Sequence, residues 1–276
     1  MRNIYILLLL LMFIIRKDAC ILGASSALVF WSKSLFPILF PTFILVDLLL
    51  SSELVKYITN IFGIIFKKIF KTSPLAAFIF FISMLCGTPT NAKILKKLHD
   101  EKIITSSDIN KILSFTLLFN PFLIISFAGF KALLIIWISN LFTGFILRNS
   151  YITSDDNITY LPIKFSISES ISTNITTIIN ILGTVTMFMC LSYALPFINP
   201  EFNIFVSSVL ELSTALYKNK MYLNSTYLYL FMLSLGGISI FSQIKGILKD
   251  AQVDYKFILK SRIITTIISL IICWLT

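Results

Sequence analysis

Long apolar stretches dominate the chain, and short polar or basic segments separate them. A membrane-spanning helix needs about 20 mostly apolar residues, because each residue adds about 1.5 Å to a helix that must cross roughly 30 Å of hydrocarbon. The stretches that approach or partly meet this length are 4–15, 21–50, 75–86, 112–130, 132–147, 170–200, 221–244 and 263–276. The pattern predicts an all-α polytopic membrane protein with about six to eight membrane-inserted helices.

The first stretch, Ile4–Ile15, follows Arg2 much as the apolar part of a signal peptide would. Arg16 and Lys17 come directly after it, where small residues would precede a cleavage site. We therefore interpret it as a retained short helix, with a cleaved signal peptide as the alternative.

Three further stretches have features of their own. Pro37 and Pro41 interrupt residues 21–50 and predict a bend there. Residues 53–71 interleave Lys with Ile, Phe and Tyr, which predicts an amphipathic helix in the membrane interface. The uncharged stretch 170–200 is the most secure span.

Local signals also predict a turn and a helix start. A glycine-containing turn separates 112–130 from 132–147, so we expect a tight helical hairpin. Asn199 is a suitable N-cap for a new helix that holds Pro200 in its first turn.

Two apolar stretches are broken by glycine. Leu75–Cys86 stops at Gly87, and 221–244 is interrupted at Gly236-Gly237. Within hydrocarbon, a break survives only where protein or a water-filled cavity satisfies the free backbone groups. The restarting half-helix presents N–H groups and the positive end of its dipole, which attract anions. Paired breaks of this kind form substrate sites in transporters; alternatively, the glycines only allow close packing or a kink.

Two acidic residues lie in apolar surroundings. Glu211 is predicted to lie on an otherwise apolar helix over 202–217, where a charge is costly and therefore indicates an ion or substrate contact, with a headgroup contact near a helix end as the alternative. Asp47 is explained at least equally well by contact with lipid headgroups, because Ser51 and Ser52 follow closely. The predicted substrate-binding residues are Gly87, Thr88, Thr90, Asn91, Glu211, Gly236, Gly237, Ser239 and Gln243.

Basic residues concentrate in 93–111 and 245–262, each directly after a break. Short segments this rich in Lys stay on the cytoplasmic side. A shift of 150 residues places Gly87 on Gly237 and so predicts an internal repeat, with parallel halves if both basic segments are cytoplasmic.

The chain is expected to form one integral membrane domain, 1–276. Its first half covers about 24–148, a polar linker covers 149–164, and its second half covers about 165–276.

Composition narrows the function. The chain has 276 residues, of which 57% are hydrophobic and 13% are charged, with a net charge of +10. A soluble domain would have about a quarter charged residues, so a soluble enzyme is excluded. One His and four scattered Cys cannot form a metal cluster, and no phosphate-binding Gly-Lys loop or nucleophile–His pair is present. We expect no enzyme, no cofactor and no nucleic-acid partner.

Several short motifs carry a resemblance. They are Leu35-Phe36-Pro37-Ile38-Leu39-Phe40-Pro41, Cys86-Gly87-Thr88-Pro89-Thr90-Asn91-Ala92-Lys93, Asn120-Pro121, Leu210-Glu211-Leu212-Ser213-Thr214 and Gly236-Gly237-Ile238-Ser239. In this order they resemble landmarks of the YlbJ (SpoVV) family of sporulation integral membrane proteins. That family belongs to the nucleoside-recognition (Gate) domain group, which is similar to concentrative nucleoside transporters.

The resemblance implies a transporter in the bacterial cell membrane and, in spore formers, movement of dipicolinic acid. The first break reads Gly-Thr-Pro where Gly-Tyr-Pro is more usual, and the second lacks a frequent His, so the motifs leave the substrate open.

These observations together predict a secondary transporter of a small anionic solute, such as a dipicolinate-like dicarboxylate. The two breaks would hold the solute, H⁺ or Na⁺ would be the coupling ion, and the protein would contact the lipid bilayer and could form an oligomer. The alternatives are a nucleoside transporter and a non-transporting scaffold or assembly factor for the spore or envelope.

Overall fold

A computed structural model gives the structure of residues 2–153, 160, 162–196 and 198–276. All regular secondary structure in these ranges is helical. The helices are α1 (Arg2–Ile15), α2 (Lys17–Phe30), α3 (Phe36–Leu50), α4 (Leu54–Phe70), α5 (Leu75–Cys86), α6 (Thr90–Asp100), α7 (Ser106–Thr116), α8 (Pro121–Ile146), α9 (Ile167–Ala194), α10 (Pro200–Leu210), α11 (Leu212–Tyr222), α12 (Thr226–Leu235), α13 (Gly237–Ile247) and α14 (Tyr255–Leu275).

Five helical segments of the described chain are long and apolar enough to cross a membrane. They are Lys17–Leu50, Pro121–Ile146, Ile167–Ala194, Thr226–Ile247 and Tyr255–Leu275. A sixth is obtained if α4 and α5, which meet at 100°, count together. The prediction of an all-α polytopic membrane protein is confirmed, at the lower end of the expected number of helices.

The helix continues through Pro37 and Pro41, and a π-helical stretch lies directly before them. Trp31–Leu35 joins α2 to α3 without a break, and the backbone N–H of Phe36 bonds to the carbonyl oxygen of Trp31. Such a wider turn accommodates a local disruption of the helical ladder. Residues 17–50 therefore form one long helix that contains Pro41.

The stretch 112–130 is not one helix. α7 ends at Thr116, and α8 begins at Pro121 after Asn120, whose side-chain oxygen accepts a hydrogen bond from the backbone N–H of Phe122 at 2.9 Å. This additional interruption was not predicted. At the predicted turn, Gly129 has φ 81° and ψ 174°, so a kink divides α8 there.

The last helix is longer than predicted. α14 begins at Tyr255, eight residues before the predicted Ile263, so Arg262 belongs to a helix and not to a basic loop. Its side chain is buried among polar partners, which makes the charge tolerable within the fold. The predicted cap at Asn199 is confirmed, because its side chain accepts from the N–H of Phe202 at 2.7 Å.

Helix α5 occupies the middle of the main hydrophobic core. Its residues Leu75–Ile79 are fully buried, and the neighbouring rings of Phe66, Phe70, Phe80 and Phe115 pack together. The predicted helix over 53–71 is present as α4, which buries one stripe of residues, while its place in the membrane interface stays a prediction. This packing fixes the end of α5, where the first break begins.

The two basic segments lie next to each other. Lys96 of α6 is 3.1 Å from the carboxylate of Asp250, which follows α13. Both segments therefore lie on one side of the molecule, while their cytoplasmic placement and the internal repeat stay predictions. The described part of the linker 149–164 contains no helix, and its residues 154–159 and 161 lie outside the described residues.

Candidate functional site

A cavity of about 330 Å³ lies where three interruptions of helices meet. The break after α5 contributes Thr88 and Pro89, the segment before α8 contributes Asn120, and the connection between α10 and α11 contributes Glu211. The remaining wall is mostly apolar and includes Leu35, Ile38, Leu39, Phe119, Phe127, Ile181, Val185, Tyr217 and Ile240. We call this space the inner cavity.

Gly87 fits the first break for two reasons. Its φ of +77° is strained for any other residue, and a Cβ atom here would lie 2.3 Å from the backbone nitrogen of Asn120. The neighbouring N–H of Thr88 donates to the carbonyl oxygen of Leu118 at 2.6 Å. The break after α5 is therefore held directly against the interruption between α7 and α8.

Thr88, Thr90 and Asn91 have different roles in this break. The hydroxyls of Thr88 and Thr90 are buried without a hydrogen-bond partner, but of the two residues only Thr88 lines the inner cavity. The fully buried side chain of Asn91 donates to the carbonyl oxygen of Thr116 at 2.8 Å. Asn91 thus supports the end of α7, and Thr88 borders the cavity with its hydroxyl buried in the break.

Glu211 does not lie within a helix, contrary to the sequence interpretation. It has an extended backbone between α10 and α11, and its carboxylate accepts hydrogen bonds from the N–H groups of Ser213 at 3.1 Å and Thr214 at 2.7 Å. The apolar neighbours masked this capping role in the sequence. The positive end of α11 is therefore already occupied by a carboxylate of the chain itself.

The second predicted break is confirmed at Gly236, in the left-handed conformation. A Cβ atom on Gly237 would lie 3.0 Å from the carbonyl oxygen of Ser208, so this break packs against the end of α10. Ser239 is buried and accepts from Gln243 at 3.4 Å, and Gln243 lines the inner cavity.

The structure thus brings three of the nine predicted residues to the wall of the inner cavity: Thr88, Glu211 and Gln243. The others, Gly87, Thr90, Asn91, Gly236, Gly237 and Ser239, lie in or beside the breaks and not on that wall. Sequence reasoning missed Asn120 as a site residue, although an Asn followed by Pro is a recognisable start of a helix.

Asp47 is the centre of a buried polar cluster, so its interpretation as a headgroup contact is wrong. Its carboxylate is 3% exposed and lies 2.8 Å from the ammonium of Lys93 and 3.1 Å from that of Lys97. Ser170 and Asn174 of α9 donate to the same carboxylate at 2.6 and 3.0 Å. This cluster connects α3, α6 and α9.

A second cavity, of about 640 Å³, adjoins this cluster. α6, α9 and α13 line it, and it is markedly more polar than the inner cavity. Two residues, Ile181 and Gln243, line both cavities. We call this second space the outer cavity; it lies beside the two basic segments, since Lys96 and Lys249 line it.

The two cavities differ in charge. Among the described residues that line the inner cavity, Glu211 is the single carboxylate and there is no Lys, Arg or His. The outer cavity contains both signs, with Lys93, Lys96, Lys97, Lys164 and Lys249 against Asp47, Asp100, Glu101 and Glu169.

Comparison with known proteins gives one relative. The chain is similar to the sporulation integral membrane protein YlbJ of Bacillus subtilis (strain 168), with 26% identity over 129 residues. The matched region is 47% of this chain, and the chain spans 30% of the relative's length. No protein-family model matches the chain, and no solved structure matches it.

The relative supports the resemblance found in the motifs. Together with the five apolar helices, it identifies the chain as a multi-pass integral membrane protein similar to a sporulation protein.

Proposed function

We propose that this membrane protein is a secondary transporter of a small solute, and that the inner cavity holds the solute in transit. The observation that carries the proposal is the meeting of three helix interruptions at one cavity. Interrupted backbone at membrane depth is stable only around protein or water. Such interruptions surround the substrate in many transporters.

The groups on the cavity wall suit a polar solute. The side chains of Asn120, Ser213 and Gln243 on this wall carry hydrogen-bonding groups. A few polar groups on a mostly apolar wall are typical of small-molecule sites.

The first candidate substrate is a small anion, a dipicolinate-like dicarboxylate by resemblance to the family. Lys93 and Lys97 on the wall of the adjoining outer cavity would attract it. Glu211 would repel an anion in the inner cavity unless H⁺ or Na⁺ neutralised the carboxylate. Transport of an anion together with such a cation would be compatible with both the attraction by the lysines and the charge of Glu211.

The second candidate is a neutral, nucleoside-like solute. It is favoured because the described wall of the inner cavity has no cationic side chain, while Phe119, Phe127 and Tyr217 offer rings on which a base could stack. The two candidates predict different solutes under the same assay.

The test is uptake into proteoliposomes that contain the purified protein. Radiolabelled dipicolinate and uridine are supplied separately, each under an inward H⁺ or Na⁺ gradient. We expect uptake of dipicolinate, and uptake of uridine alone would identify the second candidate. If neither solute accumulates under either gradient, the transporter proposal is wrong and a scaffold role becomes the better explanation.

Glu211→Gln tests the coupling role. The variant keeps the shape of the side chain and should lose most uptake or its dependence on pH or Na⁺. Glu201→Gln, an exposed carboxylate in the first turn of α10, is the matched control and should transport like the wild type. Unchanged transport by Glu211→Gln at every pH would remove Glu211 from the site.

A further inference from the structure

One face of α9 carries a row of polar side chains along much of the span. Ser170, Thr173, Thr177, Asn180 and Thr184 all line the outer cavity. They recur every three or four residues, which is the spacing of one helix face. Three isoleucines on other positions of the same helix are exposed on the protein surface: Ile171, Ile175 and Ile179.

Such a row of polar side chains would be energetically unfavourable if lipid surrounded this face. Polar residues within a membrane face the interior of the bundle or a water-filled cavity. The outer cavity, with its volume of about 640 Å³, provides the space for water beside this face.

One part of the wall of this space has a surplus of positive charge. One carboxylate, Asp47, receives two ammonium groups, from Lys93 and Lys97. Ser170 and Asn174 also donate to it, so most of its acceptor capacity is used. One positive charge therefore stays unbalanced within the cluster.

Lys96 lies between two carboxylates, Asp100 and Asp250, so this second group carries one net negative charge. Its carboxylates are 50% and 61% exposed, whereas Asp47 is 3% exposed, so water screens the second group far more than the buried cluster. The positive surplus is therefore local to the buried cluster. The remaining charged groups on the wall are two bases and two acids: Lys164, Lys249, Glu101 and Glu169. Lys97 retains 28% exposure of its side chain, so its ammonium can reach a solute in the cavity. Asn174, which is fully buried, has a side-chain oxygen without a hydrogen-bond partner.

We propose that the outer cavity is a water-filled vestibule and that Lys93 and Lys97 form an anion subsite on its wall. A carboxylate or similar small anion binds there in competition with Asp47. It then passes Gln243, which borders both spaces, to the inner cavity. The passage step rests on the proposed transport function, whereas the vestibule and its subsite do not.

The vestibule is tested by labelling a single cysteine. The four free cysteines, Cys20, Cys86, Cys190 and Cys273, are first replaced by Ser or Ala. Thr177→Cys is then introduced into this background, with Ile179→Cys as the matched control, because Ile179 lies two residues away on the surface and is 55% exposed. Both variants are reconstituted and treated with an anionic and a cationic water-soluble methanethiosulfonate reagent.

We expect the cysteine at 177 to react and the cysteine at 179, in contact with lipid, to be protected. Relative to a free thiol, the anionic reagent should react at position 177 about threefold or more faster than the cationic one, because one nearby positive charge attracts the first and repels the second. Lys97→Gln should abolish this preference. Lys260→Gln, which removes an exposed charge of α14, should leave it unchanged.

Two results would overturn the proposal. Equal protection of positions 177 and 179 would mean that no vestibule exists, and Asn180→Cys serves as a second position in case Thr177→Cys misfolds. A faster cationic reagent would exclude an anion subsite. Labelling needs no transport, so an anion preference in a protein without uptake would refute the transporter proposal alone, and uptake without labelling would refute the vestibule alone.

Discussion

The guanidinium of Arg262 donates a hydrogen bond to the carbonyl oxygen of Leu117 at 2.9 Å, although 145 positions of sequence separate the two residues. It also donates to the carbonyl oxygen of Ser114 at 3.0 Å and the side-chain oxygen of Asn140 at 2.8 Å. The last carbonyls of α7 lack partners in their own helix because the helix stops at Thr116. Arg262 therefore supplies hydrogen-bond donors to the free carbonyl oxygens between α7 and α8, the segment against which the first break packs.

Loss of Arg262 should destabilise the whole fold. Arg262→Leu leaves several buried acceptors without donors and should cost about 3 kcal/mol or more. Arg262→Lys should restore only part of this, because one ammonium cannot reproduce the planar fork of donors. The measurement is thermal unfolding in detergent, with the exposed Lys260→Ala as control. Wild-type stability of Arg262→Leu would contradict the assigned role.

The two breaks should respond differently to a methyl group. Gly236→Ala should cost about 1–2 kcal/mol, the usual penalty for a left-handed residue, because its Cβ atom would have no neighbour closer than 3.7 Å. Gly87→Ala should cost clearly more, since its Cβ atom would overlap the backbone of Asn120. Gly246→Ala, which meets nothing within 4 Å, is the control and should be neutral or slightly stabilising. Equal unfolding temperatures for the first two variants would show that the close approach at Gly87 is absent.

Two substitutions of Glu211 should distinguish its role as a helix cap from the role of its charge. Glu211→Ala removes the acceptor for Ser213 and Thr214 and should cost about 1–2 kcal/mol. Glu211→Gln keeps one of the two acceptor oxygens and loses the other hydrogen bond, but it also removes the cost of a buried charge, so it should destabilise the fold less than Glu211→Ala does. The comparison shows whether a transport defect of Glu211→Gln reflects chemistry or misfolding. Equal destabilisation by both substitutions would mean that the charge itself is required for the cap.

Stability should fall in acid through Asp254. Hydrogen bonds from the backbone N–H of Phe257 and then from the hydroxyl of Tyr151, at 3.0 and 2.8 Å, lower the pKa of Asp254. Burial, followed by the nearby carboxylate, raises the pKa of Tyr151 to about 12, so the phenol remains a donor at neutral pH. A carboxylate whose pKa is lowered by folding stabilises the fold above the pKa of the unfolded chain, about 3.9. This stabilisation is lost as the pH falls through the pKa of the folded state.

The unfolding temperature should therefore decrease below about pH 4, and Asp254→Asn should flatten this decrease. Asp18→Asn, which changes an exposed acid of α2, provides the control. An identical pH profile for Asp254→Asn and the wild type would exclude the contribution.

The sequence predicted those features that depend on residues close together in the chain. Helix α5, its end at Gly87 and the break at Gly236 follow from apolar runs interrupted by residues that permit positive φ. The cap at Asn199 was also predicted, because its side chain bonds to a backbone N–H three residues later.

Features that depend on distant residues were not predicted. Asp47 meets Lys93, 46 positions away, and Asn174, 127 positions away, and no local pattern indicates these pairs. Glu211 was assigned to a helix because its neighbours are apolar, although it interrupts two helices. The polar row on α9 is visible in the sequence, because Thr173 and Thr177 recur at helical spacing. It was not predicted, because the stretch was interpreted only by its length and its lack of charge.

The position of Gln243 on the wall of both cavities has a consequence for how fast their shared wall can change. A change of side-chain rotamer takes picoseconds to nanoseconds where it is unhindered, whereas a hinge movement of helices takes microseconds to milliseconds. Gln243 is held through its side chain by one long hydrogen bond, to Ser239 at 3.4 Å. Because Gln243 borders both spaces, a change of its rotamer alone would alter the wall that they share, with no movement of the helices.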